Sequence, residues 1–230
     1  MLQIELSELV KHPVLLGLPQ YGGQCSTIFA RSLGDIMLLA GQHGLPFGTA
    51  FIWNEAFITR ARNHIADVFL KSPAEHLMFI DSDIGFNAQD VIELLILQIK
   101  NPEYNLIAAP YKKKALDAGY AFDYGGQTLT VNAATRDKGP IEVRGTGNGF
   151  MMVHRSVFER FAEAYPHYCY TSDDGQPRAM MQFFQAEIDK VSNRYLSEDY
   201  WFQDRCRDIG IKTWLCPWMK LRHAGMHIFE

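Results

Sequence analysis

The chain has 230 residues, 47% of them hydrophobic and 21% charged, enough apolar material for one large domain and too much for a disordered chain. Its net charge of −4 leaves no global basic field for nucleic acid or an anionic membrane. The four cysteines, Cys25, Cys169, Cys206 and Cys216, form no CxxC pair and read as free thiols of a reducing compartment.

The amino terminus, MLQIELSELVKHP, lacks the basic start and long apolar stretch of a signal peptide. No run reaches the roughly 18 apolar residues of a membrane span. The expectation is a cytoplasmic protein, standing alone or as one domain of a longer chain. Val14 to Pro19 is a short apolar run closed by turn residues, which predicts a buried strand. The loop QYGGQC follows, with Ser26 as N-cap of a helix carrying Ile28, Phe29, Leu33, Ile36, Met37 and Ala40 at helical spacing until Gly41 and Gly44. PFGTAFIW predicts a second strand, and EAFITRARNHIADVFLKSP a second helix ending before Pro73. Leu77 to Ile80 is a third strand. Asn87 caps a helix through Leu97 to about Ile99, and YNLIAAP is a further strand. This alternation argues for a parallel sheet with helices on both faces.

The second half changes character. LTVNAATRDKGPIEVRG predicts two antiparallel strands around an Asp-Lys-Gly-Pro turn. A helix is expected over 156–164, a long polar stretch over 165–195, a helix near 200–209 and a last strand near 212–215. The polar stretch from Asp173 through Asp174 and Gln176 to Gln185 has the length of a lid or an acceptor-binding segment.

The chemistry concentrates where the third strand ends, in EHLMFIDSDIGFNAQDV. Strand residues i and i+2 point to one side, so Asp81 and Asp83 are expected to converge on one ligand at the carboxyl edge of the sheet. A hard divalent ion, Mg²⁺ or Mn²⁺, gripping a diphosphate would satisfy both acids. The competing account is a surface turn with two solvated acids. A haloacid-dehalogenase-type phosphotransferase also ends a strand in Asp-x-Asp, but usually in its first strand and with a different continuation.

The words around the aspartates carry a resemblance. TRARNHIADVFLKSPAEHLMFIDSDIGFNAQDVIELL resembles the central block of GT-A fold glycosyltransferases, especially the family 2 type. Three further motifs stand in that family's order: the glycine-rich Gly145-Thr146-Gly147-Asn148-Gly149, the acidic Ser197-Glu198-Asp199 opening a helix, and His223 in LRHAG. The resemblance implies a single GT-A-like, Rossmann-type α/β domain over 1–230. Its sheet would be mostly parallel, with a smaller antiparallel element in the second half. Residues 1–110 would bind the nucleotide sugar and 111–230 the acceptor. It implies a metal-dependent transferase using a UDP- or GDP-sugar donor and a glycan or other hydroxyl acceptor, most naturally inverting.

In that reading Asp83, Asp81 and His223 hold Mn²⁺ or Mg²⁺, Asp81 alternatively binding ribose, and His227 is the rival to His223. Asp199 is the general base, with Glu198 as alternative base or acceptor orienter. Both acids also suit a helix start electrostatically. Arg60, Arg62 and Asn63 lie near the donor. Arg60 and Asn63 share a helical face while Arg62 points about 100° away, so one arginine is expected at the diphosphate and the other in a structural pair. Pro19 and Tyr21 wall the donor pocket, Gly147 and Asn148 join the donor site, and Lys112, Lys113 and Lys114 read as a solvated loop, with contact to phosphate or acceptor as the alternative. Trp201, Trp214 and Trp218 are candidates for sugar platforms or for core. The alternatives are a retaining enzyme of the same fold, a nucleotidyltransferase, and a non-catalytic nucleotide-sugar-binding module.

Overall fold

The structure is a computed structural model that describes residues 4–115, 119–127, 129, 131–173, 175, 177–225 and 228–229. Seven strands form its central sheet: β1 (Val14–Gln20), β2 (Phe47–Trp53), β3 (His76–Ile80), β4 (Leu106–Ala108), β5 (Ile141–Val143), β6 (Phe150–His154) and β7 (Thr213–Leu215). Their spatial order is β2-β1-β3-β6-β4-β7-β5. β1 runs parallel to β2 and β3, and β7 parallel to β4, whereas β6 and β5 run against their neighbours. Five strands therefore point their carboxyl ends to one edge, and strands from both halves of the chain share the sheet.

Every residue of β3 is buried, as a strand covered on both faces requires. Alternate residues feed opposite layers. Leu16, Leu18, Met78 and Ile80 pack under helices α1 (Thr27–His43) and α3 (Ala88–Lys100). Leu15, Leu77 and Phe79 pack under α2 (Ile58–Lys71), α4 (Arg155–Ala164) and α5 (Glu198–Asp208), where Phe158, Phe161, Phe184 and Phe202 make an aromatic layer. The helix starts follow side-chain capping: Ser26 Oγ accepts from Phe29 N at 3.2 Å and Asn87 Oδ1 from Gln89 N at 3.0 Å.

The expected hairpin over 129–145 does not form. Asn132 Oδ1 accepts from Ala134 N and starts a 3-10 helix, Ala133–Lys138, closed by Gly139 at φ 73°. Ile141–Val143 pairs instead with Thr213–Leu215. Alternating apolar residues report that a strand exists but not which distant strand has a free edge. Thr130, in the first expected strand, lies outside the described residues. The polar stretch 165–195 holds two small antiparallel pairs, Cys169–Thr171 with Ala179–Met181 and Glu187–Ile188 with Tyr195–Leu196. Asp174 and Gln176 within it are outside the described residues.

A glycine in β1 sets how closely α2 approaches the sheet. A Cβ on Gly17 would lie 2.5 Å from Ile65 Cγ2 and 3.1 Å from Leu77 Cδ1. Gly17→Ala is expected to destabilise the fold by about 1–3 kcal/mol through overpacking, read as a lower urea midpoint with an unchanged slope.

Candidate active site

The site lies at the carboxyl edge of the sheet. Asp81 N donates to Gly149 O at 3.0 Å, one step past the β3–β6 ladder, and Ile84 N then donates to Asp81 O at 3.0 Å. The chain turns here, beyond the end of β3; Asp81 and Asp83 pair with different cations and both line one cleft.

Asp81 Oδ1 accepts from Arg62 Nη2 at 2.8 Å, and Arg62 Nε donates to Glu198 Oε1 at 3.2 Å. Arg62 is only 2% exposed, its guanidinium 5.3 Å from the Phe79 ring centre, and its Nη1 is buried with no hydrogen-bond partner. Burial opposes the arginine's charge, but Asp81 and Glu198 outweigh it and hold the group protonated. Burial also raises Asp81, an effect that Arg62 only partly offsets.

Asp83 pairs through Oδ2 with the Lys114 ammonium. The short strand Ile84–Gly85 pairs with Arg222–Ala224, placing His223 opposite Ile84. His223 Nδ1 lies 2.7 Å from the Lys112 carbonyl, so Nδ1 carries a proton and Nε2 is the nitrogen turned toward Asp83. That Nε2 is 3.5 Å from Asp83 Oδ1, an oxygen buried without a hydrogen-bond partner. Burial works against ionisation of Asp83, but His223 and Lys114 outweigh it and hold the carboxyl below its ordinary range. His227 lies outside the described residues.

The glycine-rich segment is explained by Tyr111. Its hydroxyl accepts from Gly149 N at 3.2 Å. A Cβ on Gly147 would sit 2.0 Å from that hydroxyl, and one on Gly149 2.9 Å from both it and Asp81 Oδ2. Asn148 is buried; its Oδ1 accepts from Gln203 Nε2 at 3.1 Å and its Nδ2 has no partner. Gln203 also accepts from Thr146 N and donates to Thr146 O and Asp199 O, tying the segment to α5. At the start of α5, Asp199 Oδ1 accepts from Ser197 Oγ and from Tyr200 N (2.8 Å). Burial and then the neighbouring Glu198 charge raise Asp199 to about 6.

Two adjoining clefts open beside these groups and share Ala56 and Ile58. Pro19, Gln20, Tyr21, Glu55, Asp81 and Asp83 line the first. Gln182, Gln185, Tyr195, Ser197 and Glu198 line the second, about 420 Å³ in volume. Arg62 bridges an acid of each.

Other predicted residues are placed elsewhere. Asn63 accepts from the Phe183 and Phe184 amides and donates to Phe184 O, holding that segment and not the first cleft. Arg60 is surface-paired with Glu55 at 2.8 Å and with Asp173 at 3.9 Å. It shares Asn63's side of α2 in register, yet the helix shoulder turns one outward and one inward. Trp201 and Trp218 are core residues, and Trp214 is half-buried against Tyr104, so none is a sugar platform. Trp53, 66% exposed at the end of β2, is the open indole instead. Sequence reasoning missed Tyr111, Gln203 and the engagement of Lys114. An aromatic directly after the strand-ending Ala-Ala-Pro was the available signal for the first; for the other two there was none.

No known protein family matches the sequence, and no curated protein does. Two solved structures share the fold. A197 from STIV superposes with a TM-score of 0.59 at 15% identity, covering 93% of this chain and 86% of that one. GalNAc-T7, solved with UDP, GalNAc and Mn²⁺, gives 0.53 at 8% identity, covering 92% of this chain but 44% of that one. This chain thus spans less than half the length of the second. The shared architecture is the GT-A-like Rossmann-type α/β fold.

Arg62→Met leaves Asp81 and Glu198 without their buried cation. It should cost about 3 kcal/mol, read by urea denaturation, and a change below about 0.5 kcal/mol would mean that the bridge contributes nothing net.

Proposed function

We propose that this chain is a glycosyltransferase moving a sugar from a UDP- or GDP-sugar to an acceptor hydroxyl with inversion. One arrangement carries the reading: the Arg222–Ala224 strand turns His223 Nε2 toward Asp83, beside an arginine that ties the Asp81 cleft to the Glu198 cleft. The nucleoside diphosphate belongs in the first cleft, walled by Pro19 and Tyr21, and the acceptor in the second. Residues 1–110 would supply most of the donor site and 111–230 most of the acceptor site, with Gly147 and Asn148 acting behind the donor site through Tyr111 and Gln203. The acceptor oxygen attacks the anomeric carbon while the bond from that carbon to the diphosphate oxygen breaks. The bonding pair leaves with the nucleoside diphosphate. Asp199, ionised above about pH 6, takes the acceptor proton. Glu198, held by Arg62, orients the acceptor.

A hard divalent cation, Mn²⁺ or Mg²⁺, fits the chemistry at Asp83. That acid has a buried oxygen without a hydrogen-bond partner, and the Nε2 nitrogen of His223 faces it. Asp83 and His223 would hold the ion, with Asp81 turned to Arg62, and the ion would supply positive charge to the departing diphosphate. The Lys114 ammonium on Asp83 favours a second arrangement, in which that lysine supplies the charge.

Calorimetric titration of UDP and GDP, with Mn²⁺ and with EDTA, separates these readings. Metal-dependent binding of one nucleotide, lost in Asp83→Ala, is the expected result. Binding that survives EDTA but fails in Lys114→Met would assign the charge to the lysine, and no nucleotide binding under any condition would remove the transferase reading. With the donor known, Asp199→Asn should lower kcat by about 10²–10⁴-fold with donor affinity retained. The parent's kcat/KM should fall as pH drops below about 6, because the base is then protonated, and the variant should lack that limb.

A further inference from the structure

The opposite end of the sheet carries a second set of donor atoms. β1 and β3 are parallel, with Val14 beside His76. Pro13 O accepts from Glu75 N at 2.9 Å and from His76 N at 3.3 Å. His12, Glu75 and His76 are thereby brought together where the strands begin, away from Asp81 and Asp83 where β3 ends. Among the described residues, these three side chains have ligand atoms all within 4.8 Å of one another.

The nitrogens are already sorted. His76 is 2% exposed, and its Nδ1 is 2.7 Å from Gln98 Oε1. The Gln98 amide nitrogen donates to the carbonyls of Tyr104, Asn105 and Met152, which identifies Oε1 as the acceptor and puts the imidazole proton on His76 Nδ1. His76 Nε2 is left as a lone pair, buried with no hydrogen-bond partner, 3.9 Å from Glu75 Oε2. Burial pushes His76 down to about 4, which keeps it in the neutral form that ligates. His12 Nδ1 is 3.0 Å from the same Glu75 oxygen, while its Nε2 is 3.5 Å from Glu8 Oε1. His76 therefore has an outer hydrogen-bond partner, Gln98, on the nitrogen that does not face Glu75, while His12 Nε2 only approaches Glu8 at 3.5 Å without a hydrogen bond. Metal-bound histidines are oriented by an outer partner of the Gln98 kind. His154, edge-on to His76 with ring centres 5.2 Å apart, stays outside the set, its Nδ1 lying 2.8 Å from Ser156 Oγ.

We propose that His12 Nδ1, Glu75 Oε2 and His76 Nε2 form a binding site for Zn²⁺ or a cation of similar softness. Bonds of about 2.0–2.1 Å in a tetrahedron separate ligand atoms by about 3.3 Å. The spacings of 3.0 and 3.9 Å to Glu75 lie about half an ångström from that, and the two imidazole nitrogens, within 4.8 Å of one another, close by up to about 1.5 Å on binding. Two imidazoles and one carboxylate suit zinc better than the all-oxygen shell that Mg²⁺ prefers. Glu75 and His12 are the accessible members, with side chains 47% and 21% exposed, so the ion enters and keeps its fourth ligand on their side. Imidazole and carboxylate ligate in their deprotonated forms, so binding weakens as pH falls. It would pin the segment before β1 to the start of β3, and it is independent of the Asp83–His223 centre.

The test is calorimetric titration of ZnCl₂ into full-length Asp83→Ala, in which the other centre has lost its carboxylate, and into the same chain carrying His12→Gln or Glu75→Gln. Both positions are accessible, and circular dichroism checks that each variant folds. The expected result is one Zn²⁺ per chain in Asp83→Ala, with affinity weakened more than about 100-fold by either further substitution, since loss of an outer partner alone costs about 10–100-fold. Absence of zinc binding in Asp83→Ala, or unchanged affinity in both further variants, would overturn the proposal.

Discussion

The buried Arg62 guanidinium organises the working edge of this fold. It is reached by one acid from the end of β3 and by another from the first turn of α5, two points far apart in the chain. Removing the arginine leaves two carboxylates without their cation, whereas either acid alone still balances it, so the edge depends on Arg62. The same contact fixes where the two clefts meet. An arginine suits this position because its planar fork serves two carboxylates at once, which an ammonium cannot do in fixed geometry.

A second layer of constraint comes from close packing around Tyr111. Gly147 and Gly149 lie against its ring and hydroxyl, and the same ring packs on His223 at 5.1 Å. Gln203 then ties the glycine-rich segment to the helix that bears Asp199. The glycines thus matter for the room they leave. Side chains there would push Tyr111 away and, with it, the histidine that faces Asp83.

The sheet has two chemically different ends. At the carboxyl edge, acids are paired with Arg62, Lys114 and His223. At the other end, three histidines crowd around β1, β3 and β6, two of them beside Glu75. Both arrangements arise from adjacent strands that start or stop in step, so residues remote in sequence meet without any long loop between them.

Much of this was legible in the chain itself. The apolar runs of β1 and β3, the caps at Ser26 and Asn87 and the helical spacing between them are local properties, dictated within a few residues by backbone and side-chain physics. Asp81 and Asp83 stood out as two acids ending an apolar run, whereas Glu198, Asp199 and His223 stood out only through the resemblance to GT-A fold glycosyltransferases. Pairing was not legible. Ile141–Val143 alternates like any strand, but only the open edge of β7 decides its place. Asn63 and Arg62 are neighbours in one helix, yet one serves the backbone at 183–184 and the other two carboxylates. Lys114 looked like a solvated basic run until its loop folded over Asp83. Local interactions select the elements; which charges become neighbours depends on how those elements close on one another, and that is decided by packing across the whole sheet.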